Sequence, residues 1–503
     1  MRSIWIDACG NSAEEDTYPA LQGEVNADVV VVGGGITGAA TAMRLAEAGL
    51  SVALVEARRV GAGNTGRSTG NLYGTVSSGL RNLRKKWGPE EVACAVAGRS
   101  RALAWIRETA GRHGIDCSFE SVPLHECVAD DDGLQVQDLR TEHEAALEAG
   151  LLAEWGEQLH GWPLQARRVH TLLSQAHFNP CAFTCGLVRE LARRGVAVYE
   201  NSPVLDIDAG NGRVTASGGT VSATDIVLAT HTPLGFNIVQ AEMEVFREYG
   251  IAARLASEGP PVGSVWMKGP AMRSIRTYRD PNGTRYLVVV GEKHKTGEGE
   301  RGVDYAERLR SFASEHFDIR TFTHQWSAQQ YSSADGLPYI GASGHDNVFM
   351  ATGMGADGLT WGVVASEVIT DLVQGRDSPL SELLRPRRFT PIKSAKGWLA
   401  EYKTTTRHLL ERLHPHTADA ALDRLPAGTG RLMDIDGEAR AVYRDDDGAV
   451  TVLSPVCPHL KCHVHWNQGE RTWDCPCHGS RFDTTGRVIE GPALQGLSRA
   501  GDG

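Results

Sequence analysis

Two short motifs restrict what this chain can fold into more than anything else in it: Cys457-Pro458-His459 and Cys475-Pro476-Cys477-His478. They read Cys-x-His and Cys-x-x-His. Two loops so equipped offer two thiolates and two imidazoles to one centre, and the surrounding chain must hold those loops face to face. Two chemistries accept the donor set. Zinc takes it as a closed tetrahedral site. An iron–sulfur centre takes it with two Cys on one iron and two His on the other. Cys462 and Cys477 lie inside the same motifs, and a zinc site gives them no task.

The fuller strings, CPHLKCHVHW and CPCHGSRFD, resemble the bacterial Rieske pattern. The resemblance implies Cys457, His459, Cys475 and His478 as [2Fe–2S] ligands. It also implies a disulfide between Cys462 and Cys477, and a covering Pro loop that starts at Gly491-Pro492. Lys461 stands where the family usually has Gly, and Leu494 where many members have a second Pro. Neither change removes a ligand. A cation at Lys461 would raise the cluster potential if it faced the cluster, and would do little if it faced solvent. His463 and His465 read as exposed loop residues rather than ligands.

The other end of the chain is of a different kind. Ala27-Asp28-Val29-Val30-Val31-Val32 is a buried parallel strand by pattern. Gly33, Gly35 and Gly38 follow as G-x-G-x-x-G, then the helical segment AATAMRLAEAGL, then the strand Ser51–Val55 ending in Glu56. The acid stands about twenty residues beyond the glycines, as a dinucleotide site requires. Glycines let the backbone approach a pyrophosphate, the helix amino terminus favours its charge, and Glu56 accepts from ribose hydroxyls. NAD would satisfy this much. The run Gly61-Ala62-Gly63-Asn64-Thr65-Gly66-Arg67-Ser68-Thr69-Gly70-Asn71 argues for FAD. It resembles the second flavin loop of the D-amino-acid-oxidase-like (DAO) family, which includes glycine and sarcosine oxidases.

By that resemblance FAD is held by Gly33, Gly35, Ile36, Thr37, Gly38, Glu56, Ala57 and Arg58, and by Thr65, Gly66, Arg67, Ser68, Gly70 and Asn71. Val204, in ENSPVLDID, looks like the strand beside the adenine. Ala229 and Thr230 look like the turn beside the dinucleotide. The segments from Asp335-Gly336-Leu337-Pro338 and from Ala351 to Gly362 resemble the family's closing motif. Gly353, Met354, Gly358, Leu359 and Thr360 would there bring a helix amino terminus to the flavin pyrimidine, favouring the reduced anion.

The two resemblances, with Trp5 and the short lead-in before Asp28, identify the chain as a DAO-type FAD-dependent oxidoreductase with a carboxy-terminal Rieske domain. The implied fold is an α/β Rossmann-like FAD domain of the DAO/glutathione-reductase type, an interleaved α+β substrate domain and an all-β Rieske domain. The DAO-like part is expected over 1–388. Its FAD-binding pieces are about 25–110, 175–235 and 330–388, and its substrate-domain pieces about 111–174 and 236–329. Arg285–Gly291 reads as a substrate-domain strand after an Asn282-Gly283 turn. Residues 389–425 are expected as a helical linker, with Trp398, Leu399, Tyr402, Leu409, Leu410 and Leu413 strapping the modules together and His408, His414 and His416 at the surface. Residues 426–503 form the Rieske domain, with strands through LMDID, RAVYRDDDGAV and TVLS.

Lys+Arg number 51 and Asp+Glu 62, a net charge of −11, which argues against nucleic acid. No run of about 18 apolar residues predicts a membrane span, and the start MRSIWIDACGNSAEEDT lacks a signal core. A cytoplasmic protein is expected. Cys9, Cys94, Cys117, Cys127, Cys181 and Cys185 then read as buried free thiols, with Cys181 and Cys185 packing at a helix start rather than binding metal.

The DAO resemblance implies oxidation of a C–N bond in a small amine or amino-acid-like substrate. The Rieske resemblance implies that electrons leave the flavin through the cluster to an external acceptor: a protein, a quinone or O₂. Alternatives are a reductase or monooxygenase fed through the cluster, and a non-catalytic redox carrier or sensor. No general base is assigned. Gln330 occupies the place where amino-acid oxidases of the family carry a carboxylate-binding Arg, which puts an α-amino-acid substrate in doubt. Arg276, Tyr278, Lys293 and His294 are further candidates for the substrate pocket. The oligomeric state stays open.

Overall fold

A computed structural model describes residues 2–13, 17–129, 133–269, 272–300, 303–388 and 424–499. The expected linker helix, with Trp398, Leu399, Tyr402, Leu409, Leu410, Leu413 and the three histidines, lies outside the described residues apart from the end at 424–425.

The apolar run Val29–Val32 is fully buried at the centre of a sheet. Across that sheet the order is Tyr339–Ala342, Val348–Thr352, Gly219–Leu228, Gly23–Val32, Val52–Val55 and Ala197–Tyr199. All but the first run parallel. A hairpin of Val204–Asp208 and Arg213–Ala216 hangs from Gly219–Leu228. The helices Ile36–Glu47 and Gly358–Val373 lie against each other. A Cβ on Gly362 would stand 2.5 Å from Thr37 Oγ1, so the helices approach more closely there than any side chain permits. Val363, Val364, Val368 and Ile369 are completely buried in this layer.

A second, larger sheet runs Ile319–Ser333, Met243–Leu255, Arg285–Lys295, Arg273–Arg279, Ser264–Lys268, Glu120–Val128, Arg168–His177 and Asn71–Leu72, with Ala153–Gly156 beside Arg168–His177. Its pairings are antiparallel except Ser264–Lys268 with Glu120–Val128. Arg285–Lys295 follows the Asn282-Gly283 turn, where Gly283 has φ 83°. Strands Arg168–His177 and Ile319–Ser333 of this sheet span positions 174 and 329, near which the expected pieces change. Cys181 and Cys185 sit on helix Pro180–Arg193, their thiols against Gly61. The Asn179 side chain caps that helix by accepting from Cys181 N and Ala182 N.

The last part is all β. Three strands, Thr429–Ile435, Glu438–Arg444 and Val450–Leu453, form one sheet. Four more, His465–Asn467, Thr472–Asp474, Arg481–Phe482 and Val488–Glu490, form another. Trp473, Phe482, Leu453 and the motif cysteines make the core between them.

Candidate active site and iron–sulfur centre

Strand and helix geometry explain the first half of the site. Gly33 has φ 109°, and a Cβ there would stand 2.5 Å from Ala229 O. A Cβ on Gly38 would overlap Gly33 O at 1.9 Å. Only glycine lets the turn fold this tightly. Helix Ile36–Glu47 begins at Gly35 with no side-chain cap, leaving amide groups at its amino end for a phosphate. Glu56 accepts from Gly34 N at 2.7 Å and Arg58 N at 2.9 Å, so its carboxylate is fixed at the mouth of the turn. Thr65 Oγ1 accepts from Ile36 N at 3.0 Å and joins the second loop to the first.

These residues open onto one cavity of about 820 Å³. Of the expected flavin residues, Gly33, Gly35, Ile36, Thr37, Glu56, Ala57, Arg58, Thr65, Arg67, Ser68, Val204, Ala229, Thr230, Met354, Gly358 and Leu359 line it. Gly38, Gly66, Gly70, Asn71, Gly353 and Thr360 lie behind the wall. A Cβ on Gly66 would press on Gly61 O and Ile6. Gly70, at φ 73°, packs on Phe178 O and Arg276. Asn71 Nδ2 donates to Ser274 Oγ, and Thr360 Oγ1 accepts from Tyr73 N. The helix starting at Gly358 again lacks a side-chain cap. Its preceding Asp357 accepts from Ser77 N and Oγ, each at 2.9 Å, and faces the buried Arg99 at 3.6 Å.

The substrate-pocket candidates separate. Gln330 lines the cavity. Arg276, Tyr278, Lys293 and His294 do not. Arg276 is buried over Trp5 and donates to Gly70 O at 2.7 Å, so it props the flavin loop from behind. Tyr278 packs edge-on against Trp5. Lys293 is exposed with its ammonium over Phe246, and His294 is stacked on Tyr305. A sheet position alone does not say which face a side chain takes, and these four take other faces.

Sequence reasoning missed several cavity residues. His231 receives a hydrogen bond from Asn64 Nδ2 at 2.7 Å, and burial lowers its pKa to about 4. Glu248, Trp326 and Val290 form the sheet end of the cavity. Glu248 is one residue from Arg247 and two from Phe246 in an alternating strand, with no motif to mark it.

The second half of the site is the cysteine–histidine centre. Cys457, Cys475 and His478 are buried. Cys462 and Cys477 are joined by a disulfide that ties the two loops. The neighbouring Cys475 sulfur lowers the Cys457 thiol to about 7, while the Cys457 sulfur and burial raise Cys475. The His459 and His478 rings stand 5.0 Å apart at 81°. Buried His478 is held neutral, its pKa lowered by burial and then by His459 to about 3, and its Nδ1 has no hydrogen-bond partner. Paired sulfurs and a bare imidazole nitrogen are what a metal cluster needs from its protein. Lys461 is exposed at φ 63°, a conformation suited to the family's glycine. His463, expected to be exposed, is buried, and its backbone pairs with Val456 as a bridge. His465 is half-buried and its Nδ1 bonds Gly297 O at 2.7 Å, across to the larger sheet.

The two halves meet. His459 Nε2 donates to Gln240 Oε1 at 3.0 Å. Gln240 Nε2 donates to Pro233 O and Gly235 O, each at 2.9 Å, which fixes the amide orientation. Those carbonyls belong to the loop just beyond Ala229 and Thr230. Gly235 N donates to Pro492 O at 3.0 Å, and Arg58 Nη1 to Ile489 O at 3.2 Å. Glu490, Gly491, Ala493 and Leu494 form part of the cavity wall. Leu494, which replaces a family Pro, is thus a wall residue.

Strands Met243–Leu255 and Ile319–Ser333 stand between the halves, paired from Met243↔Ser333 through Arg247↔Gln329 and beyond. Successive side chains point to opposite faces. Glu248, Ala328 and Gln330 line the cavity. Arg247, Gln329 and Tyr331 reach the cysteine–histidine module. Gln329 Nε2 donates to Gly479 O at 2.9 Å and Tyr331 Oη to Gly491 O at 3.1 Å. Gln329 and Tyr331 also border the cavity where it runs under the module.

Known proteins support both halves. Residues 28–372 match the family model DAO, FAD dependent oxidoreductase, and residues 417–499 match the Rieske [2Fe-2S] domain. YhfW of Bacillus subtilis (strain 168), named for a Rieske 2Fe-2S iron–sulfur protein, is 29% identical over 97% of this chain and 96% of its own. Gamma-glutamylputrescine oxidoreductase of Escherichia coli (strain K12) is 28% identical over 43% of this chain and 52% of its own. Glycine oxidase from Geobacillus kaustophilus superposes with a TM-score of 0.58 at 20% identity. It covers 73% of this chain and 100% of that one, and shows the shared fold.

Proposed function

Because this chain belongs to the FAD dependent oxidoreductase family, binding FAD there and a [2Fe–2S] cluster in its Rieske domain, we propose that it oxidises a C–N bond of a small amine and exports the electrons through the cluster. FAD bound there would supply a hydride acceptor for the carbon beside the nitrogen, and a [2Fe–2S] cluster a one-electron outlet. The chain's own residues set the stage. The turn at Gly33 and the two uncapped helix starts receive the cofactor's anionic groups. Gln330 and Glu248 orient the substrate, while Trp326 and Val290 exclude water from its alkyl part. Gln240 and the loop after Thr230 hold the His459 edge of the Rieske domain against the flavin domain.

One observation carries the proposal: Glu490, Gly491, Ala493 and Leu494 of the Rieske domain are part of the cavity wall shared with Gly33, Thr65 and Leu359. A domain present only to brace the fold has no need to share that wall. The E. coli relative's name, which specifies an amine, agrees with the reaction type. No described helix is long and apolar enough to cross a membrane, and we place the enzyme in the cytoplasm with a protein, quinone or O₂ as acceptor.

The test is anaerobic. The holoenzyme is mixed with a panel of amines, and flavin absorbance and the low-temperature EPR spectrum are followed together. Bleaching accompanied by a reduced Rieske signal is expected. Bleaching with the cluster still oxidised would overturn the relay.

A further inference from the structure

We infer that Glu248 and Gln330 form a cation site at the sheet end of the flavin cavity, which holds the positively charged nitrogen of an alkylamine and turns away substrates carrying a carboxylate there. The inference rests on the proposed amine oxidation and deepens it by naming the substrate class.

The donor–acceptor arithmetic is specific. An ionised carboxylate only accepts, so the Gln330 group that meets Glu248 Oε2 is its NH₂. Gln330 Oε1 then points elsewhere. Gln330 is only 5% exposed, and its Oε1 is buried without a hydrogen-bond partner. Glu248 therefore brings an acceptor-only carboxylate to the cavity lining, and beside it Gln330, its amide hydrogen towards Glu248 already spent, leaves a buried oxygen unsatisfied. An N–H-bearing cation satisfies such a set. A carboxylate would meet acceptors and a like charge.

The charge balance points the same way. Among the described residues no Lys or Arg forms an ion pair with Glu248. Lys293 acts on it favourably, but that side chain is exposed over Phe246. Asp357 acts in the opposite sense. Burial pushes the Glu248 carboxyl up, the mark of a desolvated acid without a counter-ion. A ligand cation supplies the missing partner. Trp326, Val290, Ala328 and Met354 line the same cavity and offer apolar surface for an alkyl chain.

The test uses two probes that the enzyme does not need to turn over: butylguanidinium, a cation rich in N–H, and butyrate, its anionic counterpart. Each is titrated into oxidised holoenzyme, and the perturbation of the flavin absorption band gives a dissociation constant. Butylguanidinium should bind at least ~10-fold tighter than butyrate, as one charge-assisted hydrogen bond warrants. Glu248→Gln keeps the shape and can still receive the Gln330 amide, so it should retain its flavin and lose that preference. Gln330→Arg should pair internally with Glu248, abolish butylguanidinium binding and leave butyrate binding equal or better. Equal affinity for the two probes, no cation-dependent spectral change, or an unaltered preference in flavin-replete Glu248→Gln would overturn the cation site. The amine oxidation itself fails separately. If no amine bleaches the flavin while butylguanidinium still binds in a Glu248-dependent way, the proposed reaction falls and the cation site stands.

Discussion

Gln240 is a side chain on which the two modules touch directly. Its Oε1 accepts from His459 Nε2 at 3.0 Å and from Asn237 N at 3.0 Å, and its amide nitrogen is committed to two carbonyls. A ligating imidazole whose far N–H is held by an acceptor becomes a richer donor to its metal. Gln240→Leu removes that acceptor. The oxidised cluster loses the stabilisation, so its potential should rise. If the hydrogen bond contributes about 1 kcal/mol, the rise is on the order of 40 mV for a one-electron couple. Potentiometric titration followed by circular dichroism reads the shift directly, and an unmoved midpoint in a flavin-replete variant would refute the role. Nothing local in Asn237-Ile238-Val239-Gln240 announces it. The cysteine–histidine centre was legible because its two motifs carry Cys and His at short fixed spacing, and Gly33 and Gly38 because a tight turn demands glycine. Gln240 and Glu248 act only through partners far away in the chain. The same holds for Arg276: an arginine in a strand resembles a pocket residue until its neighbours are known.

At the scale of elements, the paired strands Met243–Leu255 and Ile319–Ser333 do two tasks with two faces. The face towards the Rieske domain carries a buried charge cluster. Arg247 is fully buried and donates to Glu470 at 2.7 Å and Glu490 at 3.3 Å. Arg481 donates to the same two carboxylates at 2.6 Å and 3.2 Å and to Asp474 at 3.0 Å. Arg247→Ala leaves two largely covered carboxylates with one guanidinium, at a cost of up to about 3–5 kcal/mol. The variant should show faster hydrogen exchange along 470–490, and a lowered melting temperature. The pH response follows from the same geometry. Burial alone would raise Glu470, but Arg247 and Arg481 outweigh it and draw the carboxyl to about 2. The unfolded chain has an ordinary Glu near ~4.3, so it binds more protons than the folded one in between. Stability from this cluster is therefore full above about pH 4.3 and is lost as pH falls towards 2. Arg247→Ala should flatten that loss, which melts across the acid range measure. The strand at Arg285 and its Asn282-Gly283 turn were legible because the signal is local and one-sided. The alternating strand around Arg247 was not. Its polar face imitates a solvent face, and only the docked Rieske domain buries it.

For the whole molecule, the proposed relay raises the question whether the Rieske domain would have to move to receive electrons. Its contacts argue that it does not. Arg247 is buried beneath it, Gln329 and Tyr331 bond its loops, His465 bonds Gly297, and Glu490, Gly491, Ala493 and Leu494 wall the cofactor cavity. A swinging domain would have to desolvate the Arg247–Glu470–Glu490 cluster anew in every cycle and would open the cavity to water each time. The division into two functional modules was readable from motifs at the two ends of the chain. Their shared wall was not, because it depends on how surfaces from three segments complement one another. A fixed domain has a kinetic signature. Large domain motions are slowed by solvent friction, whereas transfer within a docked complex is not. After rapid anaerobic mixing with substrate, the interval between flavin bleaching and cluster reduction should be the same in plain buffer and in buffer several-fold more viscous. It should also be insensitive to salt, since the charges that hold the domain are buried and poorly screened. A rate that falls in proportion to viscosity would mean that the docked arrangement is one stop of a moving carrier. An unchanged rate, together with its slowing in Arg247→Ala, would show that the sheet between the modules is the platform on which the transfer occurs.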